Sequence, residues 1–174
     1  MIIRAERPED RPAIARLNRE AFGGPGKAEL IDRLRRDGLV AASLVAEADS
    51  EIIGHILLSR LEAEIGGRRL VALALAPMAV APARQRQGIG SALVITAIAA
   101  ARDCGAQLIL VLGHPEFYRR FGSSSEKAAR LNNPFQAEAF MALELAPDIL
   151  QGAPGSVSYP PAFGLEHHTQ SPQA

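Results

Sequence analysis

Between Leu70 and Asp103 an apolar strand pattern runs into an apolar helix pattern, with only the short turn "APARQRQG" between them. A third apolar run, "QLILVL" from Gln107 to Leu112, follows at once. No other feature constrains the fold as much. The third run is apolar on both faces, as expected of a strand covered from both sides, often a parallel one. Strand, helix and strand together make a crossover unit from Leu70 to Leu112.

The first strand of that unit carries an irregularity. Val71, Leu73 and Leu75 share one parity, whereas Met78 and Val80 share the other. A period-two strand keeps one face buried across such a slip only if an extra residue is inserted, which is a β-bulge. The slip falls at Ala76-Pro77, and proline suits a bulge because it has no N–H to give a ladder. A bulge is therefore expected near Pro77.

Upstream, "MIIRA" reads as a strand. Pro8 suits a helix start, and Ile14, Leu17, Ala21 and Phe22 recur at helical spacing until "GGPG" at residues 23–26. A second helix is expected from Lys27 to Arg36, ended by Gly38. Leu44 to Ala48 and Ile52 to Leu58 read as strands joined at Asp49-Ser50, and Gly66-Gly67 marks a second hairpin turn. Downstream, Gly88 to Asp103 is the crossover helix and His114 to Gly122 a short helix. "SSSEKAARLNNPF" is loop-like, "AFMALEL" (Ala139 to Leu145) is the last strand, and the chain beyond Pro147 reads as irregular.

With 174 residues, 48% of them hydrophobic, one domain over residues 1–166 is expected, with 167–174 as a polar, flexible tail. Lys+Arg and Asp+Glu both number 19, and this balance argues against a broad nucleic-acid or anionic-membrane surface. The single cysteine, Cys104, allows no intrachain disulfide, and the adjacent His167 and His168 lack a third ligand nearby for a metal. The charged first ten residues and the lack of a long apolar run point to the cytoplasm.

The turn itself suggests a ligand. A helix N-terminus leaves backbone N–H groups unpaired and favours negative charge, and glycines let a phosphate approach closely. A P-loop needs G-x-x-x-x-G-K-[ST], and no Lys follows Gly90. A dinucleotide fingerprint needs a third glycine, where Leu93 stands, and should follow the first strand of its unit. The pattern Q/R-x-x-G-x-G/A is met by Gln85, Gly88 and Gly90.

With these residues the chain resembles the GNAT superfamily of N-acetyltransferases. "MAVAPARQRQGIGSAL" is similar to that family's acetyl-CoA-binding segment, "LGHPEFYRRFG" to its Y-x-x-x-G element through Tyr118 and Gly122, and "LVAEADSEIIGHILLS" to its early hairpin. A C-terminal "Y-P-x-A-F" segment, Tyr159 to Phe163, resembles a bacterial subgroup of small N-acetyltransferases. The resemblance implies an α/β (α+β) fold with a mixed, mostly antiparallel sheet, a central parallel strand pair and flanking helices. It also implies acetyl-CoA as cosubstrate, no metal, and an amine acceptor on a small molecule or protein. Nucleic acid and membrane are not implied as partners, and relatives are often homodimers.

Carried over by position, the backbone of Gln85, Arg86, Gln87, Gly88, Ile89, Gly90 and Ser91 would hold the CoA diphosphate, with charge added by Arg84 and Arg86. Met78, Ala79 and Val80 would hold the acyl arm, the Met78 N–H meeting the acetyl oxygen and the Val80 backbone the pantetheine. Tyr118 would protonate the departing thiolate. The chain departs from the family twice. No ionisable side chain lies between Leu70 and Ala83 to serve as base, leaving Glu29, His55, His114, Glu116 or water. Ser123 stands where relatives carry an aromatic after Gly122. The acceptor groove is expected from the second helix, the Ser59 to Gly67 hairpin and the region after Gly122. An acyl-CoA sensor without turnover is the competing expectation.

Overall fold

The parity slip and the two hairpin signals translate directly into sheet register. The computed structural model describes residues 1–135, 138–152 and 154–165, so His167 and His168 lie outside it. The chain order is β1 (Ile2–Ala5), α1 (Arg11–Phe22), α2 (Gly26–Arg36), β2 (Val40–Ala48), β3 (Glu51–Ile65) and β4 (Arg68–Val80). Then follow α3 (Ile89–Asp103), β5 (Leu108–Leu112), α4 (Pro115–Tyr118), α5 (Ser125–Ala128), β6 (Leu131–Asn132), β7 (Phe140–Glu144) and β8 (Gly155–Ser158). The strands lie in the order β1-β2-β3-β4-β5-β7, with β8 pairing with both β3 and β6. All pairs are antiparallel except β4–β5 and the two-residue β6–β8 pair. The mixed sheet with its central parallel pair is thus present, with a second, peripheral parallel pair.

Asp49 and Ser50 both take positive φ, 52° and 62°, as do Gly66 and Gly67. Two left-handed central residues match the twist of the flanking strands, so both hairpins close on two-residue turns. Between them β3 and β4 extend well beyond β2. Side chains alternate across the sheet. Leu44, Ala46, Ile56, Leu58, Leu73 and Leu75 meet Ile89, Leu93, Val94, Ala97 and Ala101 of α3. On the other face Val45 and Leu57 meet Ile14 of α1 and Leu30, Ile31 and Leu34 of α2. The same face of the lower sheet is covered by Phe140, Ile149, Leu150, Val157 and Tyr159. No helix among the described residues is long and apolar enough to cross a membrane.

Three expectations need correction. Pro8–Asp10 forms its own 3-10 turn before α1, because Asp10 accepts from the Arg7 N–H (2.7 Å) and is held by Arg4. The stretch after Gly122 is not all loop. Ser124 caps α5 by accepting from Lys127 N, and its backbone bridges to Ala142. Nor is β7 the last strand, since β8 lies along Glu62–Ile65 of β3.

Candidate active site

The gap at the centre of the sheet follows from one inserted residue. Pairing of β4 with β5 runs from Ala72↔Leu108 to Leu75↔Val111 and stops there. On its other side β4 pairs Leu75 with Leu58 and next Met78 with Ile56, so Ala76 and Pro77 together face Leu57. This is the bulge expected from the sequence, and the Ala76–Pro77 peptide is cis. Met78 and Val80 then pack toward the same core as Leu73 and Leu75, although their parity is opposite. Past the bulge β4 keeps its register with β3, while Val111 and Leu112 of β5 stay paired with Met141 and Phe140 of β7. Each strand holds its outer partner and the two lose each other.

The amides in the gap can be assigned. Ala81 N donates to Ile53 O at 2.9 Å. Antiparallel pairs alternate, so Ala79 also points its amide at β3, and the N–H groups of Met78 and Val80 point away from it, toward the gap. The Val80 carbonyl, facing the same way, accepts from Gln85 Nε2 at 3.2 Å. Gln85 therefore ties the turn to the strand by its side chain.

At the start of α3 the first intrahelical bond is Ala92 N to Gly88 O. The N–H groups of Arg86, Gln87, Gly88, Ile89, Gly90 and Ser91 have no acceptor among the described residues. Residues 82–88 are exposed, so the Arg86, Gln87 and Gly88 donors face solvent, while Ile89 is buried and Gly90 and Ser91 are half-buried. The chain reaches this arrangement through left-handed residues at Arg86 (φ 64°) and Gly88 (φ 85°). A row of free amides at the positive end of a 15-residue helix is an anion-binding arrangement. Arg84 and Arg86 form no ion pair among the described residues.

Tyr118 closes the other side. It is 7% exposed, and its ring lies so near the end of β5 that a Cβ at Gly113 would sit 2.5 Å from Cε2. Only glycine permits that approach. Phe117 meets the Tyr118 ring edge-on at 4.9 Å. A Cβ at Gly90 would lie 3.5 Å from Phe117, 3.6 Å from Met78 and 3.8 Å from Val80, so helix start, bulged strand and α4 converge. Burial pushes the Tyr118 phenol up to about 12, so it keeps its proton. Ser123, in the place of an aromatic, is buried and its N–H reaches Tyr118 O at 3.4 Å.

The four base candidates separate. Glu29 on α2 is exposed and 4.0 Å from Arg33, while His114 and Glu116 are exposed at the start of α4. His55 is fully buried on the α1 side. Its Nδ1 accepts from Asn18 Nδ2 at 3.3 Å, which places the ring proton on Nε2, 2.9 Å from Ser43 Oγ. Burial lowers its pKa to about 4. His55 is a structural group without access to an incoming amine. The groove expectation also narrows. Gly67 of the turn lies eight residues from Leu75, and a strand rising about 3.3 Å per residue puts it roughly 26 Å from the last β4–β5 pair. Its β3 edge is occupied by β8.

Sequence reasoning missed Arg120. Its Nη2 donates to Ser91 Oγ at 3.2 Å, and its guanidinium lies 5.5 Å from the Phe117 centroid and 5.6 Å from that of Phe121. The available signal was its position three residues after Phe117 on a helical stretch, where side chains meet. Among the described residues no three His, Cys, Asp or Glu side chains converge as a metal set.

A family model described as acetyltransferase (GNAT) domain matches residues 41–122. The uncharacterized N-acetyltransferase YhbS of Escherichia coli K12 is 33% identical over 162 residues, covering 91% of this chain and 96% of its own. The crystal structure of E. coli YhbS in complex with CoA superposes with a TM-score of 0.85 at 32% identity, covering 94% of this chain and 91% of that one. A GNAT acetyltransferase from Brucella melitensis in complex with acetyl-CoA gives 0.76 at 35% identity, covering 93% and 97%. Likeness over nearly the whole length, joined to a bulged fourth strand, a splayed parallel pair and a crown of free amides, establishes that the chain belongs to the GNAT family of N-acetyltransferases.

Proposed function

We propose that this chain transfers acetyl from acetyl-CoA to an amine by direct attack within a ternary complex. The observation that carries the reading is the row of six unpartnered amides, Arg86 to Ser91, opening beside the gap between β4 and β5. The relatives of known structure, at 32% and 35% identity, hold CoA and acetyl-CoA. In this chain the diphosphate lies on the Gln85 to Ser91 backbone, and the pantetheine runs into the gap along Val80.

The acceptor nitrogen attacks the thioester carbonyl carbon, and the carbonyl oxygen takes up negative charge beside the Met78 N–H. An oriented backbone donor of this kind is worth about 3 kcal/mol in acyl transfer. Collapse breaks the C–S bond, and the sulfur leaves with a hydrogen bond and proton from Tyr118. The attacking nitrogen sheds its excess proton to water, directly or by way of Glu29, His114 or Glu116 as candidate relays, and solvent returns a proton to the Tyr118 phenolate, so that amide and free thiol are the net products. The acceptor is a small-molecule amine or a protein amino group, and the reaction is placed in the cytoplasm.

The sealed His55 and the absence of an ionisable side chain along the bulged end of β4 favour one rival, an acyl-CoA sensor without turnover. Free-thiol release from acetyl-CoA across a panel of primary amines separates the two. Amine-dependent release of CoA is expected; tight acetyl-CoA binding with none released from any amine assigns the chain to sensing. Gly88→Glu places bulk and negative charge at the diphosphate and should abolish CoA binding by calorimetry. Undiminished affinity removes the site.

A further inference from the structure

Arg120 holds a permanent positive charge at the rim of the amide row, yet its partner there is neutral. Nη2 reaches only the Ser91 hydroxyl, at 3.2 Å, and the guanidinium forms no ion pair among the described residues. A hydroxyl is a weak partner for a guanidinium, whose planar fork matches phosphate oxygens. The rings of Phe117 and Phe121, 5.5 and 5.6 Å from the guanidinium carbon, hold it in place by cation–π attraction. Ser91 is the third residue of α3 and the last of the six with a free amide. The charge therefore stands about one hydrogen bond from where an anion on those amides would sit.

We propose that Arg120 is a diphosphate-binding residue, which exchanges the Ser91 hydroxyl for a phosphate oxygen when the cofactor arrives and so links the nucleotide end of CoA to the segment bearing Tyr118. The inference rests on the reading of the α3 N-terminus as the CoA site. The link is physical. Arg120 is two residues from Tyr118, and it stacks on Phe117, which touches both the Tyr118 ring and the Gly90 position. A phosphate that fixes Arg120 thus fixes Phe117, and with it the ring that faces the leaving sulfur. The freed Ser91 hydroxyl becomes a further donor to the same phosphate.

The test compares wild type with Arg120→Gln and Arg120→Lys by calorimetry against CoA and against dephospho-CoA, which lacks the 3′-phosphate. Arg120→Gln should weaken both ligands about tenfold, the loss of one charge-assisted contact. Arg120→Lys, which keeps the charge without the fork, should recover part of the loss. Raising salt should erode wild-type affinity more steeply than that of Arg120→Gln. Inorganic diphosphate should compete with CoA at lower concentration in wild type than in Arg120→Gln. The ligand-free Tm should be the same in all three proteins.

Unchanged CoA affinity in Arg120→Gln overturns the proposal. So does a loss confined to CoA and absent with dephospho-CoA, which assigns the residue to the 3′-phosphate. A loss that comes with a lowered ligand-free Tm and that Lys does not relieve assigns Arg120 to packing and also overturns it. Gly88→Glu keeps the two readings apart. If that variant still binds CoA, the site is wrong; if it does not bind while Arg120→Gln binds normally, the role of Arg120 alone falls.

Discussion

Tyr118 and His55 are both buried titratable groups, and burial moves each away from its charged form. For Tyr118 this means a phenol held up at about 12, above the ordinary value near 10. The match between phenol and thiol acidity that makes tyrosine an attractive donor is therefore looser than its type alone implies. In the proposed donor role, Tyr118 would keep its proton at rest and give it up only as charge develops on sulfur. Replacing it with Phe should slow turnover about 100-fold, the low end for a lost general acid, and leave CoA affinity unchanged. The chain has two tyrosines and no tryptophan, and burial raises Tyr159 as well. Phenolate absorbance should thus stay flat through pH 10 and rise only at higher pH or on unfolding. For His55 burial lowers the pKa from 6.5 to about 4, with Glu6 opposing and Arg35 reinforcing the shift. Between those values the unfolded chain binds the proton and the folded chain does not. Stability from this group is complete above pH 6.5 and falls as the pH drops toward 4, by about 3 kcal/mol in all. Asp10, held down to about 2 by Arg4, contributes its loss only below pH 4. Urea midpoints at pH 7, 5.5 and 4.5 should decline across this window, and His55→Gln should flatten that decline. The glycine turn and Tyr118 were legible because each sits in a local pattern. Arg120 was not, since its partner Ser91 is 29 residues away in sequence.

Elements were legible where their signal was local and obscure where neighbours supply it. The bulge could be read because it preserves burial: the side chains of β4 on both sides of Ala76-Pro77 meet the α3 core, and only their parity changes. The four residues of α5 carry no amphipathic repeat, and what fixes them is the Ser124 cap and its bridge to Ala142. The four-residue β8 exists because β3 offers a free edge at Glu62–Ile65 beyond the end of β2. The depth at which α3 sits depends on one position that the pattern did not mark. A Cβ at Gly54 would lie 2.9 Å from Leu93 Cδ1 and 3.0 Å from Ile89 Cγ2. The first turn of α3 thus rests on bare backbone of β3. Gly54→Val should force that turn outward, costing about 1–3 kcal/mol by overpacking. It should also weaken CoA binding, although Gly54 itself lies beneath the helix. Gly90→Ala makes a fair control, because its Cβ meets nothing nearer than 3.5 Å and its φ is not left-handed. Thermal melts and calorimetry should show Gly54→Val lowering both Tm and affinity, with Gly90→Ala close to wild type in Tm. Equal Tm for wild type and Gly54→Val would show that the helix seat is softer than this contact implies.

At the scale of the molecule the sheet separates two tasks. The α3 face carries the amide row, the bulge and Tyr118, while the opposite face is assembled from α1, α2 and the C-terminal segment. Tyr159 to Phe163, a motif legible as a resemblance but not as structure, lies within a stretch that composition suggested was irregular. Its place comes from contacts with residues far off in sequence. Arg33 Nε donates to Ala162 O at 2.8 Å, tying α2 to the segment. Tyr159 meets Phe135 at 5.1 Å and Phe163 at 5.0 Å, both edge-on. Phe163 packs against both cores of that face, joining the one under α1 and α2 to the one under β8. The segment works as a strap across the face, where the ends of β3 and β4 outrun β2. Tyr159→Ala removes the ring at the centre of this contact and should cost about 3–5 kcal/mol, the range for a buried aromatic. Because the α3 core has no share in that ring, folded Tyr159→Ala should still bind CoA with wild-type affinity at low temperature. A second variant, Arg33→Gln, loosens the same strap by one hydrogen bond and should lower Tm by less. Parallel loss of CoA affinity in both variants would mean that the two faces are coupled through the sheet, and that the strap helps hold the β4–β5 gap open as well as covering the opposite face.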